Sequence, residues 1–170
     1  MRSLKYYCII GAVFTLIVGT ISHFVYEWSG NHFIVGLFFP VNESTWEHMK
    51  LVFFPMLMYT LVAGKCLLKE YPCILNASFA GILAGTWLIP VIFYTYTGIL
   101  GYHKAWLDIL TFIVSVVAAY VVIYRAAFNC RRKSSADLKL IIMLHLAAFI
   151  LFTVYPPRIG LFQIPEAQIR

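Results

Sequence analysis

Long apolar stretches alternate with short polar ones along the chain, and the length of each apolar stretch decides how it is read. Five of them, at residues 6–23, 50–67, 74–95, 105–124 and 138–155, hold roughly the 20 mostly apolar residues that a membrane-crossing helix needs. A sixth, at 33–40, is too short to cross. It is expected as an interfacial or re-entrant piece, covered by protein if it dips inward, because bare backbone is not tolerated in lipid. The pattern predicts an all-α, polytopic membrane helix bundle with five transmembrane spans plus that short segment. The whole chain, 1–170, is expected to form a single integral membrane domain. Arg2 and Lys5 ahead of the first run imitate a signal peptide. The run is long and no small-residue cleavage site follows it, so it is read as a retained first span.

Composition narrows the class. Apolar residues make up 62% of the chain and charged residues 12%, against about 45–50% and about 25% in a soluble domain. An ordinary soluble globule is excluded. So is intrinsic disorder, because 17% aromatics is the reverse of its signature. The net charge of +6 would suggest nucleic acid in a soluble protein. Here it reads as basic loops on the cytoplasmic side of a bilayer, with no nucleic-acid partner. Arg2, Lys5, Lys65, Lys69, Arg125, Arg131, Arg132, Lys133 and Lys139 fall on one side, against Lys50, Lys104, Arg158 and Arg170 on the other. That asymmetry puts the N-terminus in the cytoplasm and the C-terminus outside. Cys8, Cys66, Cys73 and Cys130 then lie near the cytoplasmic face, where thiols stay reduced, so no disulfide is expected.

The third span carries Ala77, Gly81 and Gly85 at four-residue spacing. Small residues on one face let helices approach closely in lipid, so this helix is expected at the centre of the bundle. Trp28, Trp46, Tyr94, Tyr96 and Trp106 gather at the outer boundary as an aromatic belt does. His145, alone in mid-span, reads as a neutral histidine bonded across helices.

With this topology, four of the five histidines and four of the seven acids collect at the outer face. Ionisable groups at the membrane edge are costly and point to function. His23 and Glu27 end the first span, Glu43, Glu47 and His48 open the second, and His103 and Asp108 enter the fourth. The pairs His23/Glu27 and Glu43/Glu47 are each four residues apart and share a helix face if their helices extend that far. Imidazoles and carboxylates on facing helices suit a divalent transition metal such as zinc, with His23, Glu27, Glu43, Glu47 and His48 as candidate ligands. Glu43, Glu47 and Asp108 are equally candidate catalytic carboxylates. Asn42, Tyr94, Tyr96 and His103 are candidates for binding a small-molecule, lipid or peptide ligand at that face. A structural alternative stands beside each. Ser44-x-x-Glu47 has the form of a capping box, in which Glu47→Gln would cost less than about 1 kcal/mol. Lys104 and Asp108, four apart, can simply pair.

N-E-S-T-W-E-H-M-K (42–50), Y-T-Y-T-G-I-L-G (94–101), W-L-D-I-L (106–110) and Y-P-P-R-I-G-L-F (155–162) together resemble an uncharacterised family of small bacterial polytopic membrane proteins, classed as a domain of unknown function. The resemblance spans essentially the whole chain. It implies a multi-pass protein of the bacterial inner membrane and carries no assigned catalytic residues. Three functional classes stay open: a metal-dependent or acid–base hydrolase at the outer face, a small transporter or substrate-binding membrane subunit, and a structural or interaction protein whose polar end is only a lid.

Overall fold

The computed structural model of the protein describes residues 2–129 and 136–165. Cys130, the basic run 131–133 and Arg170, which bear on orientation, lie outside the described residues. The elements are α1 (Arg2–Trp28), a single turn α2 (Phe33–Gly36), α3 (Thr45–Leu67), α4 (Ile74–Leu100), α5 (Ala105–Phe128), α6 (Ala136–Val154) and a 3-10 turn (Gly160–Phe162). All five long helices are long and apolar enough to cross a membrane. Each expected span is matched by one of them, and the short sixth run folds as α2 with the turns after it.

The helices outrun the apolar stretches because polar residues near their ends are absorbed by the backbone. In the last turns of α4, Thr95 and Thr97 donate to the carbonyls of Val91 and Phe93, at 2.6 and 2.7 Å. Gly101 then stops the helix in a left-handed conformation (φ 76°), its N–H bonded to the Thr97 carbonyl. At the start of α3 the side chain of Ser44 accepts from the Glu47 N–H.

α4 is central, as its small residues predict, packing on α5, α3 and α6. A methyl group added at Gly81 would sit 2.4 Å from Ile123 Cγ1 and 2.7 Å from the Ala119 carbonyl oxygen, both on α5. Close backbone approach therefore fixes the α4–α5 pair. α6 lies at the periphery, with only Ile142 and Phe149 buried. It is tied to α4 by Trp87, whose indole N–H donates to His145 Nε2 at 2.8 Å, while His145 Nδ1 donates to the Ile141 carbonyl. Two bonds of that kind define a neutral imidazole, as expected.

At the end that carries Lys65 and Arg125 on helices and Lys69 in the turn after α3, the interior is closed by hydroxyls. Tyr7 pairs with Ser78 at 3.1 Å, Thr15 with Tyr120 at 3.0 Å, and Tyr59 donates to the Tyr7 carbonyl at 2.9 Å. Gly11 is wedged beneath the rings of Tyr59 and Tyr120. One expectation fails at this end. Cys73 is disulfide-bonded, so the thiols are not all reduced, while Cys8 and Cys66 are free.

Candidate functional site

The opposite end gathers the ionisable residues, and the sequence 42–50 governs how. Asn42 Oδ1 accepts from the Ser44 N–H at 2.9 Å, an Asx turn that aligns the chain for the Ser44 cap. Glu43 therefore precedes α3 and hangs free of helical geometry, whereas Glu47 lies inside its first turn.

Glu43 lies between two imidazoles, with its Oε1 3.4 Å from His23 Nε2 and its Oε2 3.3 Å from His48 Nε2. His48 Nδ1 is 2.9 Å from the Ser44 carbonyl. A carbonyl only accepts, so that nitrogen carries the proton. A neutral His48 then aims the lone pair of Nε2 at a carboxylate, two acceptors face to face. A cation resolves the conflict, either a second proton on His48 or a metal ion. With the proton in place, the hydrogen bond from His48 holds the Glu43 carboxyl below the usual carboxylate range, against partial burial and with help from the charges of His48 and His23.

The donor set also fits a metal. One ligand atom from each of His23, Glu43 and His48 lies within 4.8 Å of the others. Metal–ligand bonds of about 2.0–2.1 Å in a tetrahedron imply ligands about 3.3–3.4 Å apart; each histidine lies at that distance from a different oxygen of Glu43, so a single ion would draw the three ligand atoms together from their present spread. A backbone carbonyl fixing Nδ1–H is the usual way a ligating histidine is oriented. His23 Nδ1 is buried without a partner among the described residues.

Across a cavity of about 600 Å³ stands a second group. Tyr96 donates to Asp108 Oδ1, and His103 Nδ1 donates to Asp108 Oδ2 at 3.4 Å. His103 Nε2 is buried and unpartnered among the described residues. Lys104 does not pair with Asp108 as its spacing allowed. Its ammonium lies over the Tyr102 ring, 5.2 Å from the centroid. His23, Glu43, His48, His103 and Asp108 all line this cavity.

The other candidates go elsewhere. Glu47 is spent on Lys50, 2.7 Å away, and both side chains are almost fully buried. Its Oε2 also accepts from the Val41 N–H, so the carboxylate does not reach back to close a capping box. Lys50 further donates to the Gly36 carbonyl at 3.0 Å and to Thr153 Oγ1 at 2.6 Å. Glu27 is exposed and outside the cluster. Asn42 serves the turn, and Tyr94 packs on Phe93 without lining the cavity. Trp46, expected in the belt, is buried against Phe149 and Phe162.

Sequence reasoning missed the apolar floor of the cavity: Gly19, Leu51, Ile89, Phe93 and Phe112. Its signal was helical spacing, since Gly19 lies one turn below His23 and Phe112 one turn below Asp108. The reach of the tail residues Ile164 and Pro165 to the cavity had no local signal.

Five apolar helices around an end cavity of histidines and acids place the protein among small polytopic helical membrane proteins. Within that class, the chain belongs to a family of unknown function, DUF6512, whose model matches residues 1–166. Comparison with curated proteins and with solved structures gave no match.

Proposed function

We propose that the protein is a metal-dependent hydrolase working at the outer face of the bacterial inner membrane. His23, Glu43 and His48 are the metal ligands, and His103, held by Asp108, is the general base. The observation that carries this is the facing pair of acceptors, His48 Nε2 and Glu43, with the other proton of His48 committed to the Ser44 carbonyl. Two imidazoles and one carboxylate form a catalytic donor set for zinc, with a fourth position left to water. A bound divalent ion supplies Lewis acidity and a more acidic water.

The chain's own residues do the rest. His103 Nε2 takes a proton from the attacking water, whose oxygen bonds to the acyl carbon of an ester or amide. The bond from that carbon to the leaving oxygen or nitrogen breaks, and His103 returns the proton to the leaving group. Asp108 holds the imidazole in the required tautomer, and Tyr96 holds Asp108. The closed tyrosine layer at the other end weighs against a transport path through the bundle.

The test is elemental analysis of protein purified without chelator. We expect about one zinc or similar ion per chain, lost in Glu43→Gln and His48→Gln, because binding needs the deprotonated ligands. Metal-free wild type overturns the reading. Orientation is checked through Cys66, which is free and exposed at the basic end. With the N-terminus cytoplasmic, a membrane-impermeant maleimide leaves Cys66 unlabelled in intact cells. Labelling there reverses the topology, and would place the Cys73 disulfide on an oxidising side.

A further inference from the structure

We infer that the end cavity takes an acyl-chain lipid with an uncharged, oxygen-bearing head, admitted sideways from the bilayer between α1 and α5. This rests on reading the cavity as a site and names its substrate class. Three observations carry it.

The first is polarity along the helix axes. His23, His48 and Asp108 ring the mouth, and Gly19, Leu51 and Phe112 form the floor one turn deeper, about 6 Å at 1.5 Å per residue. Below the floor the Thr15–Tyr120 hydrogen bond closes the interior. A ligand that fits is polar at one end, apolar at the other, and aligned along the helices. Lipids in a bilayer have that alignment already, whereas a peptide would bring backbone groups to an apolar floor that cannot satisfy them.

The second is access. Phe24 on α1 and Ile109 on α5 line the cavity, yet they are 43% and 61% exposed on the apolar flank of the bundle. These two side chains therefore reach both the cavity and the outside of the bundle, and above the Gly19–Phe112 contact they form the thinnest barrier between cavity and lipid. The volume of about 600 Å³ is in the ordinary range for a small-ligand site, about 300–1,000 Å³. It accommodates the head and the first part of one chain, with the remainder lying in the bilayer.

The third is charge. The lining holds two carboxylates, Glu43 and Asp108, and three histidines, and no Lys or Arg among the described residues. Without a metal a phosphate head meets two like charges at short range; with a divalent ion on His23, Glu43 and His48 those two carboxylates are only balanced, and no guanidinium or ammonium adds the surplus positive charge that a phosphate calls for. An uncharged ester or amide head meets hydrogen-bonding groups and no repulsion.

The experiment compares two probes with the same fluorescent acyl chain, a monoacylglycerol and a lysophosphatidic acid, binding to the full-length protein in nanodiscs of uncharged lipid at neutral pH. We expect the monoacylglycerol to bind at least tenfold more tightly. We expect Ile109→Trp, which thickens the α1–α5 barrier from its lipid-facing side, to weaken that binding at least tenfold. Phe24→Arg is the second variant, should Ile109→Trp fail to fold. The inference is overturned by no monoacylglycerol binding, by equal or tighter lysophosphatidic acid binding, by unchanged binding in a folded variant, or by an apolar peptide binding where the acyl probe does not. Metal content measured on the same samples separates the two readings. Metal without acyl binding overturns the lipid inference alone, and acyl binding as expected without metal overturns the hydrolase alone.

Discussion

Glu43 and Glu47 sit four residues apart in one short motif and have opposite fates. Glu47 is 3% exposed and partnered on both oxygens: by Lys50, by the Val41 N–H, and by the Thr153 hydroxyl at 3.1 Å, whose proton it shares with the Phe149 carbonyl. Glu43 is 63% exposed and faces two histidines that, uncharged, do not satisfy it. A buried pair whose ammonium has all three protons placed and whose carboxylate is held by Lys50 and the Val41 N–H has little left to offer a ligand. A half-open cluster with unmatched lone pairs has more. Saturation, more than residue type, separates the structural carboxylate from the chemical one.

The sharpest way to break this contrast is to take away the Glu47 charge. Glu47→Gln leaves the Lys50 ammonium buried and unpaired, and removing one partner of a buried ion pair costs about 3–5 kcal/mol. We expect a loss of that size in thermal unfolding in detergent, well above the figure of less than about 1 kcal/mol that a capping role predicts. The double variant Glu47→Leu/Lys50→Met should recover most of it, since well-packed apolar replacements of such pairs are often neutral. A Glu47→Gln protein as stable as wild type would remove the distinction.

Glu43→Gln is the smaller perturbation. Its carboxylate is largely exposed, so with metal absent from both proteins stability should change by less than about 1 kcal/mol, while the variant no longer takes up metal. The pH dependence sharpens the same point. A carboxyl held below its usual range in the folded state contributes fully above the ordinary carboxylate pKa, and the contribution fades as pH falls through the lowered value. The small difference in Tm between metal-free wild type and Glu43→Gln should therefore be present at neutral pH and vanish in acid. A difference that persisted in strong acid, where Glu43 is protonated, would contradict the His48–Glu43 hydrogen bond.

These contrasts show what the sequence reveals and what it hides. The spans are legible because lipid demands about 20 apolar residues in a row, and the central place of α4 because Gly81 has few other uses. The gathering of His23, Glu43, His48, His103 and Asp108 at one end follows from topology alone. Their grouping does not. Spacing of four places Glu43 and Glu47 on one helix face only if both are helical, and the Ser44 cap leaves Glu43 outside. The partners of Lys50 are still less legible, for Gly36 and Thr153 come from segments 14 residues before it and 103 after. The disulfide at Cys73 was hidden by the assumption that the basic face is a reducing one.

The way Lys50 is neutralised has a consequence for biogenesis. Two of its three acceptors, Glu47 and the Gly36 carbonyl, belong to the first third of the chain and emerge from the ribosome together. The third, Thr153, arrives with the last helix. The segment through α3 thus holds within itself the acceptors for two of the three hydrogens of its lysine. The final helix, with little buried surface of its own, supplies at its far end the acceptor for the third hydrogen, so that end of α6 completes a charge site laid down at the start of the chain.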